Sequence, residues 1–170
     1  DYSVAELLTI EILNVNDPPV LSGITDSYTA YEDSSAVLVH FSGFDPDGDE
    51  LNIVVESGNP VLVADSDISV NLEEEIISLV SAPNQFGEAV IMISLNDGAI
   101  TINVQTVLQI EAVNDPPVFI ATSSVIFNED EVISISLVTT DNEGDPVEIM
   151  INDGSFVQGA YDENQLSITA

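Results

Sequence analysis

The hexapeptide Val-Asn-Asp-Pro-Pro-Val occurs twice, at residues 15–20 and again at 113–118. A spacing of about 98 residues makes the chain a stretch of a tandem array. Solenoid repeats run to roughly 20–50 residues, whereas about one hundred residues of short apolar runs is the size of a free-standing β-sandwich. Laid over each other, the copies agree beyond the hexapeptide. Tyr31-Glu32-Asp33 matches Asn128-Glu129-Asp130, and Asp45-Pro46-Asp47-Gly48-Asp49 matches Asp141-Asn142-Glu143-Gly144-Asp145. Ile77-Ser78-Leu79-Val80-Ser81 is paralleled by Leu166-Ser167-Ile168-Thr169-Ala170. The expected organisation is therefore the last strand of a preceding repeat over residues 1–16, a complete repeat over 17–115, and the first part of a following, truncated repeat over 116–170. The chain opens in mid-strand and reads as cut from a longer polypeptide.

The periodicity predicts strands throughout. In residues 101–113, Ile102, Val104, Thr106, Leu108, Ile110 and Ala112 point one way and Asn103, Gln105, Val107, Gln109 and Glu111 the other, the alternation of a half-buried strand. Val37, Val39 and Phe41 repeat it, as do Leu51, Ile53 and Val55, then Ile91, Ile93 and Leu95, each run bounded by Gly, Pro, Asn or Asp. In the second copy Ile133, Ile135 and Leu137, then Val147, Ile149 and Ile151, take the corresponding places. No stretch has helical periodicity. The fold class expected is all-β: tandem Greek-key β-sandwiches of cadherin or immunoglobulin type.

Charge narrows the function. The chain holds 31 Asp and Glu, one His and no Lys or Arg, for a formal net charge of −31. Its carboxylates repel one another with no internal salt bridge to offset them, so a cation from outside must do so. With 45% hydrophobic residues there is apolar surface enough to fold regardless. Phosphate recognition needs Lys and Arg, which excludes nucleic acid and anionic lipid surfaces as partners. The absence of cysteine excludes disulfides and thiolate metal sites, and no run of about 18 apolar residues predicts insertion into a membrane.

Three segments carry a family resemblance: Asn84-Gln85-Phe86-Gly87-Glu88-Ala89-Val90-Ile91, Leu95-Asn96-Asp97-Gly98, and the closing Val113-Asn114-Asp115-Pro116-Pro117. In this order they resemble the cadherin-like tandem repeats of very large bacterial surface and secreted proteins. The resemblance implies Ca2+ at the junctions between successive domains, held by an Asp-x-Asp loop, a linker Asn-Asp pair and a glutamate from the base of the preceding domain. Carried over by position, the first junction takes Asn16 and Asp17 from the linker, Asp45 and Asp47 from the loop, and Asp97 as a later ligand on the same face. The second takes Asn114, Asp115, Asp141 and Glu143, with Glu32 and one of Glu73, Glu74 or Glu75, of which Glu74 is the central choice. Two departures predict fewer ions or weaker binding. The linker reads Asn-Asp-Pro where cadherins have Asn-Asp-Asn, and Ala112 stands where a further carboxylate is usual; Asn14 fills that place at the first junction. Asp49 and Asp145 are the residues expected to compensate.

The composition is consistent with that chemistry, since Ca2+ takes roughly six to eight oxygen ligands from carboxylates, amides and carbonyls. An EF-hand is the rival metal reading, but Glu50 stands where that loop needs glycine and residues 51–55 read as strand. The acidic loops are otherwise solvated turns, in which Asp and Gly are common. Catalysis has little to rest on: His40, the single histidine, alternates out of phase with the apolar face, no nucleophile elbow is present, and there is no Trp to line a sugar subsite.

These readings converge on a non-catalytic, extracellular, Ca2+-stabilised spacer of a repetitive bacterial adhesin or surface filament. Its expected partners are neighbouring repeats of the same chain and other copies in a filament, with a glycan or cell-surface ligand bound elsewhere in the full protein. The alternatives are a filament subunit joined by strand exchange and a carbohydrate- or partner-binding module.

Overall fold

The computed structural model describes residues 7–120, 126, 128, 132–147, 158–162 and 165–169. The chain divides into two compact units, Asp1–Glu111 and Ala112–Ala170. Among the described residues the only helical element is a 3-10 turn, Asp65–Asp67, and no helix is long and apolar enough to cross a membrane.

The first unit is a β-sandwich. One sheet has the order β2 (Ser27–Tyr31), β9 (Thr101–Glu111), β8 (Gly87–Asn96), β5 (Asn52–Ser57); the other has β3 (Val37–His40), β7 (Ile76–Leu79), β6 (Ile68–Asn71). The long β8–β9 hairpin is the spine. Its strict alternation places Ala89, Ile91, Ile93, Leu95, Leu108 and Ile110 inward, each at most 2% exposed. Across from them Val39, Ile77 and Leu79 close the core from the second sheet. Leu62 and Val63 fill it from the loop after β5, where both backbone N–H groups donate to the Asn59 carbonyl.

The expected strands at 37–41, 51–55, 91–95 and 101–113 are present, the last ending at Glu111. His40 is exposed, as its phase predicted. Phe41 is buried but belongs to no strand. There the chain leaves the second sheet and continues as β4 (Ser42–Phe44), antiparallel to β1 (Val20–Ser22). This switch delivers residues 45–49 to one end of the sandwich, here called the head. β2 pairs with β9 in parallel, Tyr31 opposite Glu111, at the other end, the base.

The second unit repeats the opening of the first: β10 (Val118–Ile120) pairs with β12 (Val138–Thr140) as β1 does with β4. β11 (Val132–Ser136) pairs with β14 (Gln165–Thr169), and β14 with β13 (Gln158–Asp162). Leu137, between β11 and β12, is buried as Phe41 is. Glu129, Asp130, Ile149, Ile151 and Ala170 lie outside the described residues, as do residues 1–6. Residues 7–19 join no sheet, and Leu7, Leu8, Ile10, Ile12, Leu13 and Val15 are each at least 75% exposed.

Truncation of Ile93, central in the hairpin, should cost about 3 kcal/mol, the usual price of a buried Ile→Ala cavity. Leu38→Ala, on the exposed face, should cost less than about 0.5 kcal/mol. Denaturant unfolding of each variant checks the pair, and a comparable loss at Leu38 would contradict the inward and outward assignment.

Candidate metal centre

At the head, Pro46 and Gly48 turn the chain back on itself. Gly48 adopts a φ of 81°, a left-handed conformation costly for any residue with a Cβ, and its N–H donates to the Asp45 carbonyl at 3.2 Å. Asp45 Oδ1 accepts from the N–H groups of Asp47 at 2.8 Å and Asp49 at 3.2 Å. The loop is thus wound around one carboxylate oxygen. The other, Asp45 Oδ2, is buried and has no hydrogen-bond partner.

The linker lies against this loop. Asn14 Nδ2 donates to Asp47 Oδ1 at 2.9 Å, and the Asp17 N–H to Asp47 Oδ2 at 2.6 Å. Asn16 Nδ2 donates to Asp97 Oδ2 at 3.0 Å and to the Asp17 carbonyl at 3.2 Å. Asp97 comes from the turn of the β8–β9 hairpin and is 7% exposed. Its Oδ1 accepts from the N–H groups of Ala99 at 2.7 Å and Ile100 at 2.6 Å. The Ile100 N–H above all, then the Asn16 amide, hold its carboxyl below the usual 3.8, against the upward push of desolvation and with a smaller contribution from the Ala99 N–H.

Asp45, Asp47 and Asp49 each bring a carboxylate oxygen within 4.8 Å of the others. Like charges about that close repel by roughly 1 kcal/mol per pair in water and about 4 at the dielectric of a protein surface. With no Lys or Arg in the chain, backbone and amide N–H groups are what hold the loop together. A divalent cation fits what is present. The donors are all oxygens suited to a hard ion, and a buried carboxylate oxygen without a donor is what such an ion would satisfy. Asp45, Asp47 and Asp49 are the residues placed to hold it, with Asp97 and the linker beside them.

The second unit reproduces the loop. Gly144 has a φ of 78° and donates to the Asp141 carbonyl at 3.3 Å. Asp141 Oδ1 accepts from the Asp145 N–H at 2.8 Å, and Glu143 Oε2 from the Asp115 N–H at 2.9 Å, in the place of the Asp47 contact. Asn114 Nδ2 reaches the Asp115 carbonyl at 3.1 Å, as Asn16 does that of Asp17.

The structure thus gathers Asn14, Asn16, Asp17, Asp45, Asp47 and Asp97 at one head, and Asn114, Asp115, Asp141, Glu143 and Asp145 within the second unit. Asp49, expected only as a compensating residue, stands fully in the cluster. The alternation of Asp at 45, 47 and 49 was its signal. Glu32 and Glu74, both expected at the base, part company. Glu32 follows β2 at the base, buried, its N–H on the Glu111 carbonyl at 3.0 Å. Glu74 lies on the β6–β7 turn, where its N–H donates to Asn71 Oδ1 at 3.1 Å. That turn borders Phe41, whose N–H donates to the Glu75 carbonyl at 3.0 Å. Because β7 runs antiparallel to β3, with Ile76 opposite His40 and Leu79 opposite Val37, Glu74 sits past the head-side end of a strand about 10 Å long, away from Glu32.

No protein-family model and no curated protein matches this sequence. Solved structures do match by shape. Protocadherin gamma B7 extracellular cadherin domains 1–4 superpose with a TM-score of 0.52 at 17% identity, over 91% of this chain and 41% of that one. Human protocadherin-24 EC1-2 gives 0.44 at 16% identity, over 92% and 79%. A glycoside hydrolase family 107 endo-fucoidan hydrolase gives 0.47 at 18%, over 88% of this chain but 24% of the enzyme. Fold and head loops together define a class, an all-β chain of cadherin- or immunoglobulin-like sandwich structure. Likeness at these identities describes the fold alone.

The lowered pKa of Asp97 has a signed consequence. Its contribution to stability is complete above the ordinary 3.8 and disappears as pH falls through the lower folded-state value. Carboxyl NMR titration in excess chelator should place Asp97 below 3.8, and Asn16→Ala should move it up. Gly48→Ala should cost on the order of 1 kcal/mol through its φ alone, since nothing lies within 4 Å of the added Cβ. Thermal unfolding measures that loss.

Proposed function

We propose that this chain is a Ca2+-stabilised spacer of a repetitive extracellular protein, of the bacterial adhesin or surface-filament kind that the sequence resembles, and that it carries no catalytic activity. The observation that supports this most is the buried, unpartnered Oδ2 of Asp45 within a cluster of carboxylates that no side-chain cation can neutralise. At the head of the complete repeat Asp45, Asp47, Asp49 and Asp97 would hold the ion together with Asn14, Asn16 and Asp17. Asn114, Asp115, Asp141, Glu143 and Asp145 form the corresponding set in the second unit, to which Glu32 is proposed to add a carboxylate from the base of the first.

Ca2+ supplies positive charge and many coordination positions. The chain supplies loops already wound so that their carboxylates face one region. Binding to the folded, aligned state offsets carboxylate repulsion and stabilises by mass action, stiffening what would otherwise be a Pro-Pro hinge. The leading segment supports the repeat organisation. At the 98-residue offset Leu8, Ile10 and Ile12 correspond to Thr106, Leu108 and Ile110, the buried side chains of β9. Their exposure accords with residues 1–16 being the last strand of a preceding repeat.

Small-angle scattering and thermal unfolding, in millimolar Ca2+ and then in excess chelator, test the proposal. At a hundredfold excess over Kd one site adds about 2.7 kcal/mol, on the order of 10–20 °C for a domain of this size. The particle should also lengthen. Asp45→Asn should remove most of the thermal response of the first unit, and Glu32→Gln should weaken the change in shape. Glu74→Gln should alter neither. A melting temperature and shape indifferent to Ca2+ would overturn the reading and leave the head loops as solvated turns.

A further inference from the structure

Glu73, Glu74 and Glu75 are interchangeable by sequence as candidates for a ligand, and the structure distinguishes them. Glu73 and Glu74 are exposed, whereas Glu75 is half-buried. Glu75 has a φ of 54°, a left-handed conformation that residues with a Cβ rarely adopt. From there it meets the crossing between the two sheets with two groups. Its carbonyl accepts from the Phe41 N–H at 3.0 Å, and its Oε1 accepts from Ser42 Oγ at 3.1 Å. We propose that Glu75 is a positioning residue for the head, a clamp that sets the direction in which the chain leaves β3 and enters the acidic loop.

The place of the clamp carries the argument. Strands β3 and β7 pair as far as His40 opposite Ile76, so the bond between Phe41 and Glu75 is the last one before the chain departs from that sheet. One residue later Ser42 opens β4 opposite Ser22 of β1, and Ser22 Oγ donates to the Ser42 carbonyl at 3.4 Å. Ser42 is thus tied on both sides, to β1 through its carbonyl and to the β6–β7 turn through its hydroxyl. Gly23 closes on the same point, for a Cβ there would lie 3.1 Å from both the His40 carbonyl oxygen and the Phe41 Cα. The buried ring of Phe41 holds the inner side of the crossing; Glu75 and Ser42 hold its outer side. Strand β4, Ser42–Phe44, leads directly into Asp45, so a swing of the crossing is carried into the loop.

A strained backbone persists where its surroundings over-determine it. Glycine would take this φ freely but brings no side-chain acceptor. Glutamate adds a carboxylate, and a hydroxyl bonded to a charged acceptor makes the stronger kind of hydrogen bond. Glu75 therefore acts through Ser42 and Phe41, as a brace and not as a ligand. Its effect on ion affinity rests on the Ca2+ reading; the clamp itself does not.

Two NMR readouts test the inference: hydrogen exchange of the Phe41 N–H in excess chelator, with the Ile93 N–H as a reporter of an intact sandwich, and Ca2+ titration of the first unit followed at the Gly48 N–H. Glu75→Gly, which permits the same φ, and Ser42→Ala should each speed Phe41 exchange and weaken Ca2+ binding by roughly two- to tenfold, the range of one hydrogen bond. Ile93 should not respond. Combining the two substitutions should add little, because both remove one contact. Glu75→Gln still presents an acceptor oxygen and should stay near wild type, as should Glu74→Gln, which removes a neighbouring charge. Unchanged Phe41 exchange in either Glu75→Gly or Ser42→Ala overturns the proposal. A loss in Glu75→Gln as large as in Glu75→Gly also overturns it, since the effect would then be one of charge. Ca2+ affinity that ignores the loosened crossing overturns the positioning role as well. If exchange follows the expected pattern while the wild-type chain binds no Ca2+, the clamp stands and the Ca2+ reading fails.

Discussion

Everything at the head of this sandwich depends on carboxylates held by N–H groups in a chain that has no Lys or Arg. Asp45 winds its loop by accepting two backbone donors on one oxygen, and Asp97 closes the β8–β9 turn in the same way. Such charge-assisted bonds are strong, but they neutralise nothing. The charge they gather stays in place, which is why the same arrangement that forms the turn also supports the proposed cation site.

The sandwich beneath supplies rigidity at the right points. Strand β3 ends at His40, Phe41 anchors the crossing by burying its ring, and β4 carries the chain on to Asp45. Strand β8 runs to the same end and delivers Asp97. Two acidic turns remote in sequence are therefore set beside one linker by elements anchored through Val39, Phe41, Ile91, Ile93 and Leu95 in the core. The close correspondence of loop geometry between the units, despite Glu143 replacing Asp47, shows the arrangement to be set by Gly φ angles and backbone donors; the length of the acidic side chain matters less.

Legibility differed sharply between elements. Strand β9 was visible because alternation over ten residues has one physical explanation, a strand buried on one face, and Ile91, Ile93 and Leu95 marked β8 in the same way; that the two pair as a hairpin came from the structure. Asp45, Asp47 and Asp97 were visible because acidic residues flanked by Gly and Pro recur at the repeat's period or match a family motif. Leu62 and Val63 were not, since a short apolar run after a proline has no period to read. Glu74 was assigned to the base by analogy, and the structure puts its turn at the other end of β3. A turn between two short strands can fall at either end, and local sequence does not say which.

By itself the sequence determined the β class, the repeat length, the absence of internal charge compensation and the residue types available to a cation. These follow from composition and short-range periodicity, which act on each segment separately. Only the tertiary structure decided that β2 pairs in parallel with β9, that Asn14 and Asn16 meet Asp47 and Asp97, that Asp49 joins the cluster, and that Asp45 keeps one buried oxygen unpaired. Those facts depend on which segments meet across 30 to 81 residues of chain, and such meetings are settled by the packing of the whole core.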